Sequence, residues 1–193
     1  MRPPIVSVAV VAMAGAIACV AENTPVLPVC VEHRETANNL VMNQAQGIVT
    51  MIFGQAGVRI NWLPSRLCRN AALGAIRLEI DMEAPAHFSS ETLAYALPYA
   101  GSGTTIHVFY TRIMEGHREL GAQILGHVIA HEMGHVLEGI ARHSPDGLMK
   151  ARWDQHDYVR MKRQHLSFSA EDVELMRPRL TSAGRLTAQS ARE

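Results

Sequence analysis

The sequence predicts a domain of the α+β class. Two observations carry this. Val58–Leu63 (V-R-I-N-W-L) and Ala75–Met82 (A-I-R-L-E-I-D-M) alternate apolar and polar residues, and Thr104–Tyr110 (T-T-I-H-V-F-Y) is the most β-prone run of the chain. Two longer stretches, Thr36–Ala56 and Glu119–Glu138, read as helices. The chain has 193 residues, enough for one domain with a sizeable core, and no internal repeat. Lys+Arg and Asp+Glu are both 18, so charge gives no reason to expect a nucleic acid or an acidic membrane surface as partner. The unusual count is histidine, at 10.

In chain order, residues 1–21 read as a secretory signal peptide. Arg2 gives a short basic start, Ile5–Ala18 is uncharged and apolar, and Ala16-Ile17-Ala18 and Cys19-Val20-Ala21 both suit cleavage. The alternatives are an uncleaved membrane anchor and lipidation of Cys19, which would hold an otherwise exported chain at a membrane. The expected compartment is therefore secreted or periplasmic. There Cys30 and Cys68 are left as a pair and are expected to form a disulfide, two buried free thiols being the alternative.

Residues 22–180 are expected to form the single domain. Glu22–Val31, with Pro25 and Pro28, reads as an extended lead-in. Thr36 can cap the first helix and Gly57 can end it. Thr92–Leu97 is a candidate short strand stopped by Pro98. Asp154 can cap a short helix, and Ser169 a further one with Asp172 three residues on. Pro178 is expected to stop that helix, leaving 181–193 as a disordered tail.

The chemistry lies in Val128–Trp153 (V-I-A-H-E-M-G-H-V-L-E-G-I-A-R-H-S-P-D-G-L-M-K-A-R-W). His131-Glu132-x-x-His135 is an H-E-x-x-H motif. Residues four apart on a helix share a face, so both imidazoles can reach one metal ion. Glu132, one step round, is placed to take a proton from a water at that metal. The flanks, Val128-Ile129-Ala130 and Val136-Leu137, are apolar. Burying two His and a Glu among them is costly unless something binds them. Catalytic zinc usually has three protein ligands and one open position. Gly139 can turn the chain back and bring His143 to the metal; a carboxylate further on, Glu171 or Glu174, is the competing candidate. His127, one turn before His131, reads as a core or supporting histidine, since a fourth ligand closes the site. Trp153 reads as a packing anchor.

The set His131, Glu132, His135, Gly139, His143-Ser144-Pro145-Asp146 and Gly147-Leu148-Met149 resembles the metzincin clan of zinc endopeptidases. More closely, it resembles a group of bacterial secreted proteins predicted to be metallopeptidases. The resemblance implies a zincin fold: a twisted mixed sheet with an active-site helix and a long backing helix. It implies Zn²⁺ held by His131, His135 and His143, a structural Met-turn at Met149, and an antiparallel edge strand, Thr92–Leu97, that receives an extended peptide or protein substrate. Two departures stand out. The gaps from His135 to glycine and from glycine to His143 are four and four instead of three and three, which puts Glu138 where the clan has glycine; Glu138 is either solvent-facing or a ligand-orienting group. A Tyr found two residues after the Met in some members is here Ala151, with Tyr158 the only nearby substitute. The expected activity is zinc-dependent peptide-bond hydrolysis with Glu132 as general base. The alternative is an exported zinc-binding module without peptidase activity.

Overall fold

The computed structural model describes residues 24–33, 37–64, 68, 75–96 and 105–190, the span 183–190 as backbone. The signal segment and Cys19 lie outside them. No helix among the described residues is long and apolar enough to cross a membrane.

The elements run β1 (Val26–His33), α1 (Asn39–Gln55), β2 (Arg59–Leu63), β3 (Ile76–Asp81), β4 (Ala94–Ala96), β5 (Thr105–Phe109), α2 (Tyr110–Gly116), α3 (Gly121–Glu138), α4 (Gln155–Arg163) and α5 (Ala170–Ser190). The five strands form one sheet in the order β2-β1-β3-β5-β4. The first four are mutually parallel and β4 runs antiparallel to β5 at the edge. The mixed sheet and helices of an α+β fold are thus observed.

Alternation decides which face is buried. Leu27, Val29, Leu78, Ile80, Ile106 and Val108 are each at most 1% exposed and form the core face. The other face carries Arg77, Glu79, Asp81 and His107, all half-buried. Helix α1 adds Met42, Ala45, Val49, Ile52 and Phe53 to the core. It packs along α3 at close range, where a side chain on Gly126 would meet Ile48 Cβ at 2.8 Å. The glycine therefore sets how near the two helices lie.

Three differences from the sequence reading have physical causes. The lead-in is a strand: β1 lies between β2 and β3, although it contains Pro28. The two pairings are staggered, with β2 opposite residues 26–30 and β3 opposite residues 29–33. Pro28 thus falls where β1 has a neighbour on one flank only, and its missing N–H is tolerated. Helix α2 was not expected; its N-cap residue Phe109 makes no side-chain cap, and burial of Ile113 stabilises it. Pro178 does not stop α5, which continues to Ser190 over part of the expected tail. Met176 and Leu180 are buried on either side of the proline, and Arg179 Nη1 donates to the Val136 carbonyl at 2.7 Å. Packing against α3 offsets the lost intrahelical hydrogen bond. The cap of α1 is Asn38, whose Oδ1 accepts from Leu40 N at 2.9 Å and Val41 N at 3.2 Å; Thr36 lies outside the described residues.

Candidate metal centre

Helix α3 lies beneath the sheet edge with nearly every side chain buried. His131 and His135 project from one face, their Nε2 atoms 3.0 Å apart. His131 Nδ1 is 2.9 Å from the Leu148 carbonyl, an acceptor only, so that nitrogen carries the proton and Nε2 keeps its lone pair. His135 Nδ1 is buried facing the Ile140 backbone, without a hydrogen bond of full geometry.

The turn after α3 does what the residue types predict. Gly139 adopts φ 71°, a left-handed conformation that glycine takes without a Cβ penalty, and its N–H closes on the His135 carbonyl at 2.9 Å. The longer connection then returns the chain over the helix. His143 reaches the other two rings, with centroids 5.4 Å from His131 and 4.9 Å from His135. One ligand atom from each of the three imidazoles lies within 4.8 Å of the others. The four-and-four spacing is therefore compatible with convergence. Met149 is fully buried beneath the helix, and a Cβ on Gly134 would meet its sulfur at 2.6 Å. Gly134, between the two helical histidines, is what admits the methionine there.

Burial sets the charge of the group. It lowers His131 to about 4, helped by His135 and His143, and lowers His135, with His143 contributing. Both are neutral imidazoles at neutral pH, the form that ligates a metal. Burial pushes Glu132 up to about 7. Three converging imidazoles are the donor set that suits zinc. They sit in a cleft of about 630 Å³ together with Glu132. Residues 92–96, which include edge strand β4, and residues 150–153 also line it.

The competing candidates are placed elsewhere. Glu171 is exposed with its carboxylate 3.6 Å from Arg142, and Glu174 is exposed and paired to Arg177 at 2.6 Å. His127 is a core histidine: its Nδ1 is 2.7 Å from the Gln123 carbonyl and its Nε2 accepts from Leu166 N–H at 3.1 Å. Trp153 anchors the Met-turn by donating Nε1–H to the Leu148 carbonyl at 3.2 Å, and it also lines the cleft. Tyr158 packs on His117 and is not in the cleft. Glu138 is not solvent-facing. It is 9% exposed, both carboxylate oxygens lack hydrogen-bond partners, and burial beside Asp172 pushes it up to about 7. Cys30 and Cys68 are both buried free thiols, side by side and away from the cleft.

Two further groups did not emerge from the sequence. Glu79, Asp81 and His107 cluster on the open sheet face, where the imidazole is paired to Asp81 at 2.8 Å and stacked on Tyr95. Their alternation was readable; their register across β3 and β5 was not. Asp172 is buried against the His143 turn. Its only sequence signal was the Ser169-x-x-Asp172 capping pattern.

No protein-family model matches this chain, and no curated protein matches it in sequence. Among solved structures it is similar to archaemetzincin from Methanopyrus kandleri. The TM-score is 0.59 over 84% of this chain and 99% of that one, at 13% identity. The fold is zincin-like, with the motif helix α3 and the backing helix α1 under a mixed sheet.

Proposed function

We propose that this chain is a zinc-dependent endopeptidase. The observation that carries the reading is the convergence of His131, His135 and His143 beside Glu132, on the floor of a cleft walled by an edge strand. Likeness to an archaemetzincin supports it at the level of fold. His131, His135 and His143 would hold the zinc, which supplies Lewis-acid activation of water and carbonyl when bound. Leu148 orients the His131 ring through Nδ1. Glu132, held near 7 by burial, is suited both to take a proton from the attacking water and to return it to the leaving amine at neutral pH. Among the described residues no strand pairs with the outer edge of β4, and an extended peptide can add there as a further strand. The same reading places the enzyme outside the cytoplasm, with residues 1–21 as its leader.

A purely structural zinc site has four protein ligands. Among the described residues no fourth His, Cys, Asp or Glu joins the three imidazoles. Glu132→Gln is expected to retain zinc and lose cleavage of a denatured protein substrate by roughly 10²–10⁴-fold. Unchanged turnover would remove Glu132 from the chemistry, and zinc retained in full by His143→Ala would remove the third ligand.

A further inference from the structure

His143 is the exposed member of the triad, on a turn longer than the clan spacing. Among the described residues no backbone–backbone hydrogen bond holds 140–143 in place. Both of its chain neighbours, however, are tied to one buried carboxylate. Asp172, on the first turn of α5, is 0% exposed. Its Oδ1 accepts from Arg142 Nη2 at 2.7 Å and from Ser144 Oγ at 2.6 Å. Its Oδ2 accepts from Ser169 N–H at 2.8 Å, and Ser169 Oγ accepts in return from Asp172 N–H at 3.1 Å. The capping box of α5 thus needs only one oxygen of Asp172. The other goes wholly to the residues flanking His143. Ser144 extends the link, because its N–H donates to the Met149 carbonyl at 2.8 Å.

We propose that Asp172 is a positioning residue that presets His143 for the metal, by clamping Arg142 and Ser144 to the start of the C-terminal helix. The physical reason is that a buried carboxylate is stable only with its partners in place. Arg142 and Ser144 are those partners, and fixing both leaves His143 little freedom. The C-terminal helix thereby takes part in the site without contributing a ligand. The inference rests on the three-histidine zinc reading.

The test measures zinc affinity by chelator competition, the visible absorption of the cobalt-loaded protein, and the melting temperature of the metal-free protein. Asp172→Asn keeps an oxygen for Ser169 N–H but turns a donor towards Arg142 and Ser144. It is expected to weaken zinc binding about 10–100-fold and to shift the cobalt spectrum towards that of His143→Ala. Ser144→Ala is expected to act in the same direction, while Ser144→Thr, which keeps the hydroxyl, retains the wild-type affinity. Asn38→Ala removes the cap of α1, remote from the site, and lowers the melting temperature with zinc affinity unchanged. Should Asp172→Asn fail to fold, the Ser144 pair decides. Wild-type affinity and spectrum in Asp172→Asn and Ser144→Ala, with His143→Ala impaired, would reduce Asp172 to a helix cap. Wild-type affinity in His143→Ala as well would overturn the three-histidine reading beneath it.

Discussion

At the scale of single residues, the motif helix carries two kinds of histidine, four residues apart on the same face. His131 has one ring nitrogen tied to a carbonyl and the other turned towards His135 Nε2, 3.0 Å away, in the histidine cluster. His127 has both nitrogens satisfied inside the protein, donating to Gln123 and accepting from Leu166 N–H. That second bond requires a neutral ring, and burial holds His127 down at about 4. Its folded pKa therefore lies below the unfolded value near 6.5. The unfolded chain binds the proton first, so the contribution of His127 is complete above about pH 6.5 and is lost as pH falls towards 4. The shift corresponds to on the order of 3 kcal/mol. Urea unfolding of the metal-free protein should show the stability gap between wild type and His127→Gln narrowing by about that amount over this range. Comparison with the variant cancels the similar titrations of His131 and His135. A gap independent of pH would contradict the buried neutral tautomer.

Among the elements, β1 lies inside the sheet, pairing with both β2 and β3. Its Cys30 lies in register with Leu63 of β2. Cys68 sits just beyond, with Sγ 3.8 Å from the Leu63 carbonyl and 3.6 Å from that of Pro64. Burial and the hydrogen bond that the Cys30 S–H donates to Cys68 push the Cys30 thiol up to about 12. Such a thiol reacts slowly by itself, so oxidation is expected to occur as the chain folds in an oxidising compartment. A disulfide here would close a loop worth about 4 kcal/mol of chain entropy. Protein refolded under oxidising conditions is expected to show no titratable thiol at Cys30 or Cys68 in denaturant, and to melt lower after reduction. Two free thiols after such refolding would leave the pair as ordinary buried cysteines.

For the molecule as a whole, the metal would join parts that the fold brings together from far apart in the chain. The three histidines come from α3 and the turn after it; that turn is held by α5, and the Met149 turn beneath by the stretch around Ser167, whose carbonyl accepts from Leu148 N–H at 2.9 Å. A ligand that binds only the folded state stabilises it by about 2.7 kcal/mol at a hundredfold excess over Kd. For a domain of this size that is a rise in Tm of roughly 5–10 °C. Calorimetry with zinc and with a chelator should show this difference, and His135→Ala should abolish it. Equal melting in both conditions would mean that the folded protein does not hold the metal.

The local chemistry was legible from residues that act within one turn or one strand. His131, Glu132 and His135 share a helix, Gly139 had to be glycine to reverse the chain, and alternation in β2, β3 and β5 marked the buried face. Of the two readings of Glu138, the solvent-facing one fails, because apolar flanks do not reveal what covers the end of a helix. The structural account of Pro28 and Pro178 also had to come from tertiary context: strand stagger excuses one, and packing of Met176 and Leu180 excuses the other. The sequence by itself determined which residue types could hold a metal and the helix that presents two of them on one face, since a period of 3.6 residues is a local property. Only the tertiary structure decided that a turn with two extra residues still delivers His143, and that Asp172, far along the chain, stands behind it. Hydrogen bonds between segments thirty residues apart leave no periodic trace in the sequence.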